Sequence, residues 1–300
     1  MREELFKNCT LCPRKCNVNR LEGKRGYCGM DSTIRAARAA LHMWEEPCIS
    51  GKKGSGAVFF SGCGLRCCFC QNRDIAIGDS GKEISVERLA EIFLELQEKG
   101  AANLNLVTGA HYVPHIILAL ELARGKGMNL PVVYNSSGYE SVETIQRLDG
   151  YVDVYLPDMK YMEPELAAAF SNARDYPQAA QSAIAEMMRQ TGPCQFAEDG
   201  YIKRGTIVRH LILPGHTKNS IAVLKYLYRT YGEDIFISVM NQYTPVWKNE
   251  KFPELNRKVT RREYEKVLDA AIELGIENGY FQEGETAEES FIPAFDYEGV

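Results

Sequence analysis

The chain has 300 residues, 45% of them apolar, which is enough to bury one large α/β core or two smaller ones. With 40 acidic against 35 basic side chains the net charge is −5, which excludes a general basic field for gripping a phosphate backbone and favours a small-molecule or protein substrate. No apolar run approaches the roughly 20 residues a membrane span needs, and Met1-Arg2-Glu3-Glu4-Leu5-Phe6 lacks a signal-peptide core, so no membrane partner and a cytoplasmic location are expected.

Nine of the ten cysteines precede residue 71, and in a reducing compartment they point to metal ligands or reactive thiols over disulfides. The first group is Cys9-Thr10-Leu11-Cys12-Pro13-Arg14-Lys15-Cys16, followed by Cys28, with Gly23 and Gly26 permitting tight turns before the fourth thiol. Four thiols suit a closed structural site, and zinc or a second iron–sulfur cluster satisfies them equally, zinc being slightly preferred. Four free thiols on a basic loop would leave a segment poor in apolar residues with little to order it. Residues 1–52 are set apart as a Cys-rich N-terminal metal-binding segment, and residues 53–300 as the main domain.

Ala57 to Phe60 read as a strand running into Ser61-Gly62-Cys63-Gly64-Leu65-Arg66-Cys67-Cys68-Phe69-Cys70-Gln71-Asn72, a C-x3-C-x2-C loop. Three thiols on a four-iron core leave one iron without a protein ligand, the open position a metal needs to do chemistry. A zinc knuckle is the alternative, although zinc prefers paired C-x2-C arms in closed sites. Cys68, off the spacing, reads as a packed thiol, as do Cys48 and Cys194.

A helix follows from Ser85 to Lys99, with Leu89, Ile92, Phe93 and Leu96 on one face and Gly100 as its stop. Strands are expected over residues 103–107, 131–135, 152–156, 206–213 and 235–241, separated by helix-length segments, so parallel β/α units are predicted. Residues 161–200 carry no strand signal and read as two helices, Pro177 opening the second, inserted over one strand end. The last long helix opens with the capping box Thr260-x-x-Glu263 and runs to Leu274, after which Tyr280 and Phe281 suggest a short strand. The acidic tail after Gly284 reads as loosely packed, if it packs at all.

The cysteine loop after the first strand resembles that of the radical S-adenosylmethionine (radical SAM) superfamily. With the Cys9 to Cys28 group and the run Glu45-Glu46-Pro47-Cys48-Ile49-Ser50-Gly51, the chain is similar to radical SAM proteins related to pyruvate formate-lyase activating enzyme. The likeness is strongest over residues 9–75 and traceable to about residue 245. It implies an α/β fold, a partial (β/α)6 TIM-like barrel with a Cys-rich N-terminal extension. It also implies a [4Fe-4S] cluster on Cys63, Cys67 and Cys70 that cleaves S-adenosylmethionine reductively, giving a 5′-deoxyadenosyl radical that abstracts hydrogen from an inert C–H bond.

The resemblance further implies cofactor contacts. Phe69 stands in the loop itself, and Val107-Thr108-Gly109-Ala110 takes the place of the usual Gly-Gly-Glu turn for the cofactor ammonium, so an acidic acceptor is missing there. Asn135 and Ser137 stand where the family has Asp-Thr-Asn-Gly, and Lys160 where it has Leu-Asp-Leu-Lys, with a surface ion pair as the plainer reading of the lysine. Arg209 and His210 alternate in a strand, so at most one faces inward, and Gln242 follows the sixth strand near the expected adenine. Three readings follow: hydrogen abstraction from a partner protein or peptide, a glycyl-radical enzyme being the analogy, with an external one-electron reductant; radical modification of a small molecule, peptide or RNA base; or a non-catalytic iron–sulfur or zinc protein.

Overall fold

The computed structural model describes residues 4–78, 80–282 and 293–300. Its strands are β1 (Ile34–His42), β2 (Ser55–Phe60), β3 (Lys82–Ile84), β4 (Leu104–Val107), β5 (Val132–Ser136), β6 (Val154–Pro157), β7 (Gln195–Phe196), β8 (Ile202–Leu211), β9 (Phe236–Met240) and β10 (Gly279–Phe281). Together they form one sheet in the order β10-β9-β8-β6-β5-β4-β2-β1-β3, with β7 paired to β8. From β2 to β10 every neighbour on that path is parallel, joined by helical crossovers, so the six expected strands and the short last one are all present. This is the α/β partial (β/α)6 barrel; among the described residues the ladder ends at β10 and β3 and does not close.

Side-chain alternation separates an outer from an inner layer. Val58, Phe60, Leu104, Leu106, Val132, Tyr134 and Tyr155 face outward onto the helices Val86–Glu98 and Val113–Gly125. Their alternating partners Val133, Val154 and Ile207 face inward and close over Cys48 and Ile49 of a single-turn helix, Pro47–Ser50, which fills the lower barrel. That lower plug is mainly apolar, with Asn103 Nδ2 donating to the Ile49 carbonyl at 2.7 Å, and the carboxyl ends of the strands stand above it. The helix Val86–Glu98 starts where Ser85 caps the Arg88 N–H, and Arg261–Leu274 starts in the expected capping box.

Three features depart from the sequence reading. Ile34-Arg35-Ala36-Ala37-Arg38-Ala39-Ala40-Leu41-His42, rich in alanine and poor in β-branched residues, is nevertheless a strand because antiparallel pairing to β2 on one side and β3 on the other supplies what propensity does not. The segment assigned to the N-terminal extension thus contributes to the main sheet. Second, of the two helices Pro164–Ser171 and Tyr176–Thr191, the latter packs on the outer faces of β6 and β8 as an ordinary crossover helix, burying Ala180, Ala183, Ile184 and Met187. Third, residues 293–300 are bound to β1. The Ala39 N–H donates to the Glu298 carbonyl at 2.8 Å, the Tyr297 N–H to the Ala37 carbonyl at 3.1 Å, and Arg38 pairs with Asp296 and Glu298. The nearer part of the acidic tail, residues 283–292, lies outside the described residues.

Candidate active site

The carboxyl ends of the parallel strands surround a cavity of about 330 Å³. Cys63, Cys67 and Cys70 line it together, brought there by the turn leaving β2. Gly62 makes that turn at φ +89°, and a Cβ there would stand 2.4 Å from Met30 Cγ and 2.9 Å from the Cys28 carbonyl oxygen, so only glycine fits. Within the loop the Leu65 N–H points at Cys63 Sγ (3.4 Å), and the Ser171 hydroxyl donates to Cys67 Sγ (3.0 Å). Burial pushes the Cys67 thiol up to about 11 and also raises Cys70, whose neighbours Cys67 and Cys63 add to the effect. Both are protonated thiols in the bare protein, and metal binding must displace their protons.

Among the described residues no three Cys, His, Asp or Glu side chains converge as a single metal ion requires. A four-iron core spreads its thiolates over separate irons, so three thiols along one cavity rim fit such a core and leave one iron open.

Phe69, Thr108, Asn135, Ser137, Lys160, Arg209 and Gln242 all line the same cavity. Gly109 stands behind it, where an added Cβ would lie 2.6 Å from Ile116 Cδ1. Thr108 holds a left-handed φ of +61° while its N–H donates to the Asn135 carbonyl at 2.9 Å, so the turn keeps a shape suited to glycine despite its β-branched residue. Lys160 is no surface pair: its ammonium sits 2.6 Å from Asp158 with both side chains largely buried. Burial works against that charge, but Asp158, Cys67 and Cys70 outweigh it and hold Lys160 above its ordinary value. The Tyr176 hydroxyl accepts from the Lys160 N–H and lies 2.9 Å from the carbonyls of Ser137 and Asp158, tying the β5 and β6 turns together. Gln242 is held through its Oε1 by Gln282 Nε2 at 3.0 Å.

Arg209 faces inward and His210 outward. The imidazole of His210 is buried against the Met159 carbonyl (2.7 Å), and burial pushes it down to about 4. Arg209 meets two carboxylates for which sequence reasoning assigned no role, donating to Glu46 at 2.8 and 2.5 Å and also to Glu45. Burial alone would raise Glu46, yet the guanidinium holds it below its ordinary 4.5. The available signal was Arg209 itself: an arginine in an apolar parallel strand demands buried carboxylates, and Glu45-Glu46 stood unassigned.

The N-terminal cysteines pack against this loop. Arg14 donates to the Gly64 carbonyl at 2.9 Å and to the Ser171 and Asn172 carbonyls, while a Cβ on Gly64 would touch Cys12 Sγ at 3.4 Å. A fully buried Arg20 anchors the segment through the Asp31 and His111 carbonyls. Burial pushes Cys12 up to about 12 and also raises Cys28, with Cys9 adding to both.

The Radical SAM superfamily model matches residues 57–227, more than half of the chain. The chain belongs to the radical SAM superfamily. It is 30% identical over 276 residues to an uncharacterized protein of Methanocaldococcus jannaschii, covering 90% of this chain and 75% of that one. It is also 27% identical over 113 residues to the pyruvate formate-lyase-activating enzyme of Clostridium pasteurianum, covering 36% of this chain and 46% of that enzyme. The crystal structure of Streptococcus suis SuiB bound to S-adenosylmethionine aligns with a TM-score of 0.45 at 13% identity, over 74% of this chain and 45% of SuiB, so this chain spans about half the length of that solved relative. Membership implies S-adenosylmethionine and a [4Fe-4S] cluster as cofactors. No helix among the described residues is long and apolar enough to cross a membrane.

Proposed function

We propose that Cys63, Cys67 and Cys70 hold the family's [4Fe-4S] cluster, and that the enzyme abstracts a hydrogen atom from a protein or peptide partner, of which a glycyl-radical enzyme is one form. When bound, the cluster supplies the electron that breaks a sulfonium C–S bond of S-adenosylmethionine. The observation carrying the reading is that the three thiols share one cavity with Thr108, Asn135, Ser137 and Lys160 at the carboxyl ends of the strands. Lys160 places a positive charge beside Cys67 and Cys70, where it offsets thiolate charge and meets a carboxylate. Thr108 and Ser137 offer hydroxyls and backbone groups from neighbouring turns to the amino-acid and ribose portions, and Phe69, packed edge-on against Phe170 and Tyr243, stiffens the wall. The mainly apolar plug closes the cavity from below.

The 27% likeness to the Clostridium enzyme supports the protein-substrate reading over a radical modification of a small molecule. Cys9, Cys12, Cys16 and Cys28 form a second, structural metal site in this proposal. Zinc or a second iron–sulfur cluster would satisfy these four thiols, and metal analysis of the purified protein tells them apart. The decisive experiment is anaerobic reconstitution, dithionite reduction and addition of S-adenosylmethionine, measuring 5′-deoxyadenosine and the cluster's EPR signal. Wild type should give both, and alanine at Cys63, Cys67 or Cys70 should abolish both. A correctly folded, reconstituted wild type that binds no iron at this loop overturns the reading.

A further inference from the structure

Ser171 reaches the cysteine loop from outside it. It ends the helix Pro164–Ser171, 104 residues beyond Cys67 in sequence, and its hydroxyl lies 3.0 Å from Cys67 Sγ. The Tyr161 hydroxyl stands 2.8 Å from the same oxygen. A thiolate can only accept, so Ser171 must give Cys67 its one proton, and its oxygen then receives the proton of Tyr161. The result is a directed chain, Tyr161 O–H to Ser171 O–H to Cys67 Sγ, in which each bond polarises the next. Both residues are buried, Ser171 at 1% exposure and Tyr161 at 0%, so bulk water does not compete for these bonds.

The backbone holds that hydroxyl in register with the loop. The Cys68 N–H donates to the Phe170 carbonyl at 2.8 Å, and Arg14 bridges the Ser171 carbonyl at 3.0 Å to the Gly64 carbonyl at 2.9 Å. The helix end is thus tied to the loop beside Cys67 and again beside Cys63. The sulfur of Cys63 is served differently: it faces the Leu65 N–H of its own loop at 3.4 Å, a donor that every residue but proline supplies. The bond to Cys67 depends on one particular side chain. Neither Ser171 nor Tyr161 lines the cavity, so their influence passes through the sulfur and not through contact with cofactor or substrate.

We infer that Ser171 is a positioning residue whose hydroxyl raises the reduction potential of the cluster that Cys67 helps to hold, and so sets how readily an external one-electron donor starts the reaction. This rests on the radical SAM reading above and deepens it. On reduction one electron enters and no atom is transferred. Negative charge therefore grows at the ligating sulfurs, and a hydrogen bond donated to a sulfur favours the more charged, reduced state. Tyr161 acts at one remove, by polarising the Ser171 hydroxyl.

The test is an EPR-monitored redox titration of reconstituted protein, recorded without S-adenosylmethionine on the signal that its later addition alters. At a fixed potential Ser171→Ala should lower the ratio of reduced to oxidised cluster about threefold or more, which is about 30 mV in midpoint for a one-electron couple at about 59 mV per tenfold. Tyr161→Phe should lower it by less. The double variant should shift no further than Ser171→Ala alone, because the tyrosine works through the serine. A Ser171→Ala protein with the wild type's iron content and an unshifted or raised midpoint overturns the inference. So does a double variant whose shift is the sum of the two single shifts, the pattern of independent packing defects. If Ser171→Ala does not retain its cluster, Tyr161→Phe decides: a lowered midpoint supports the inference and an unchanged one overturns it. A wild type that binds no iron at this loop sinks the enzyme reading instead, which keeps the two failures apart.

Discussion

Replacing Arg209 with methionine keeps much of the side chain's bulk but strands Glu45 and Glu46 in the cavity wall without their shared guanidinium. Breaking a buried ion pair by deleting one partner costs roughly 3–5 kcal/mol, because an uncompensated charge stays buried. The pH dependence sets this apart from a packing defect. In the wild type Arg209 outweighs burial and depresses Glu46 below 4.5, so its contribution is present above that value and is lost as pH falls through the lower folded value. In Arg209→Met the burial that opposes ionisation of Glu46 is no longer offset by a guanidinium and outweighs the remaining hydrogen bonds from Ser238 and the backbone, so the variant is relatively most stable in acid and loses ground as pH climbs, at about 1.4 kcal/mol per unit once that carboxyl must ionise. Urea unfolding of the cluster-free protein between about pH 5 and pH 7.5 measures this directly. The deficit should be several kcal/mol at the upper end and shrink steadily toward the lower. A deficit below about 1 kcal/mol at neutral pH, or one constant across the range, would refute the buried-charge argument.

Three further substitutions test neighbouring parts of the site. Gly138 turns at φ +75°, and an added Cβ would stand 2.1 Å from the Asp158 carbonyl oxygen, so Gly138→Ala should destabilise by about 3 kcal/mol or more, read as a fall in thermal midpoint. Tyr176→Phe removes the acceptor of the Lys160 N–H and a donor to the turns of β5 and β6, and should cost about 1–3 kcal/mol in urea unfolding; an unchanged midpoint would deny that link any role. Burial pushes Glu140 up to about 8, so its contribution is complete below the ordinary 4.5 and is lost as pH rises through about 8. Glu140→Gln should therefore flatten the decline in unfolding free energy between those values, and a profile as steep as the wild type's would exclude the assignment.

Much of this was legible in the chain. The strand signals were runs of β-branched and apolar residues bounded by turns, and each parallel strand of the barrel appeared where such a run stood. The convergence of Cys63, Cys67 and Cys70 on one cavity was also readable, because spacing in sequence sets spacing in space within one loop. β1 was not, since its alanines carry little strand preference of their own and take their conformation from β2 and β3. Nor was the role of Glu45 and Glu46, whose partner Arg209 lies more than 160 residues away and whose meaning depends on a shared cavity floor. The exchange of Gly-Gly-Glu for Thr108-Gly109-Ala110 read as a loss, but the backbone of Thr108 keeps the left-handed turn that glycine usually makes.

The contact between Gly62 and the Cys28 carbonyl joins the two thiol groups through a shared wall, with Cys12 and Gly64 touching beside it. Neither loop is free to relax without moving the other. On the proposed reading that both groups hold metal, occupancy of the first should preshape the second, and partly loaded preparations should divide into wholly assembled and wholly unassembled molecules more than half-filled ones.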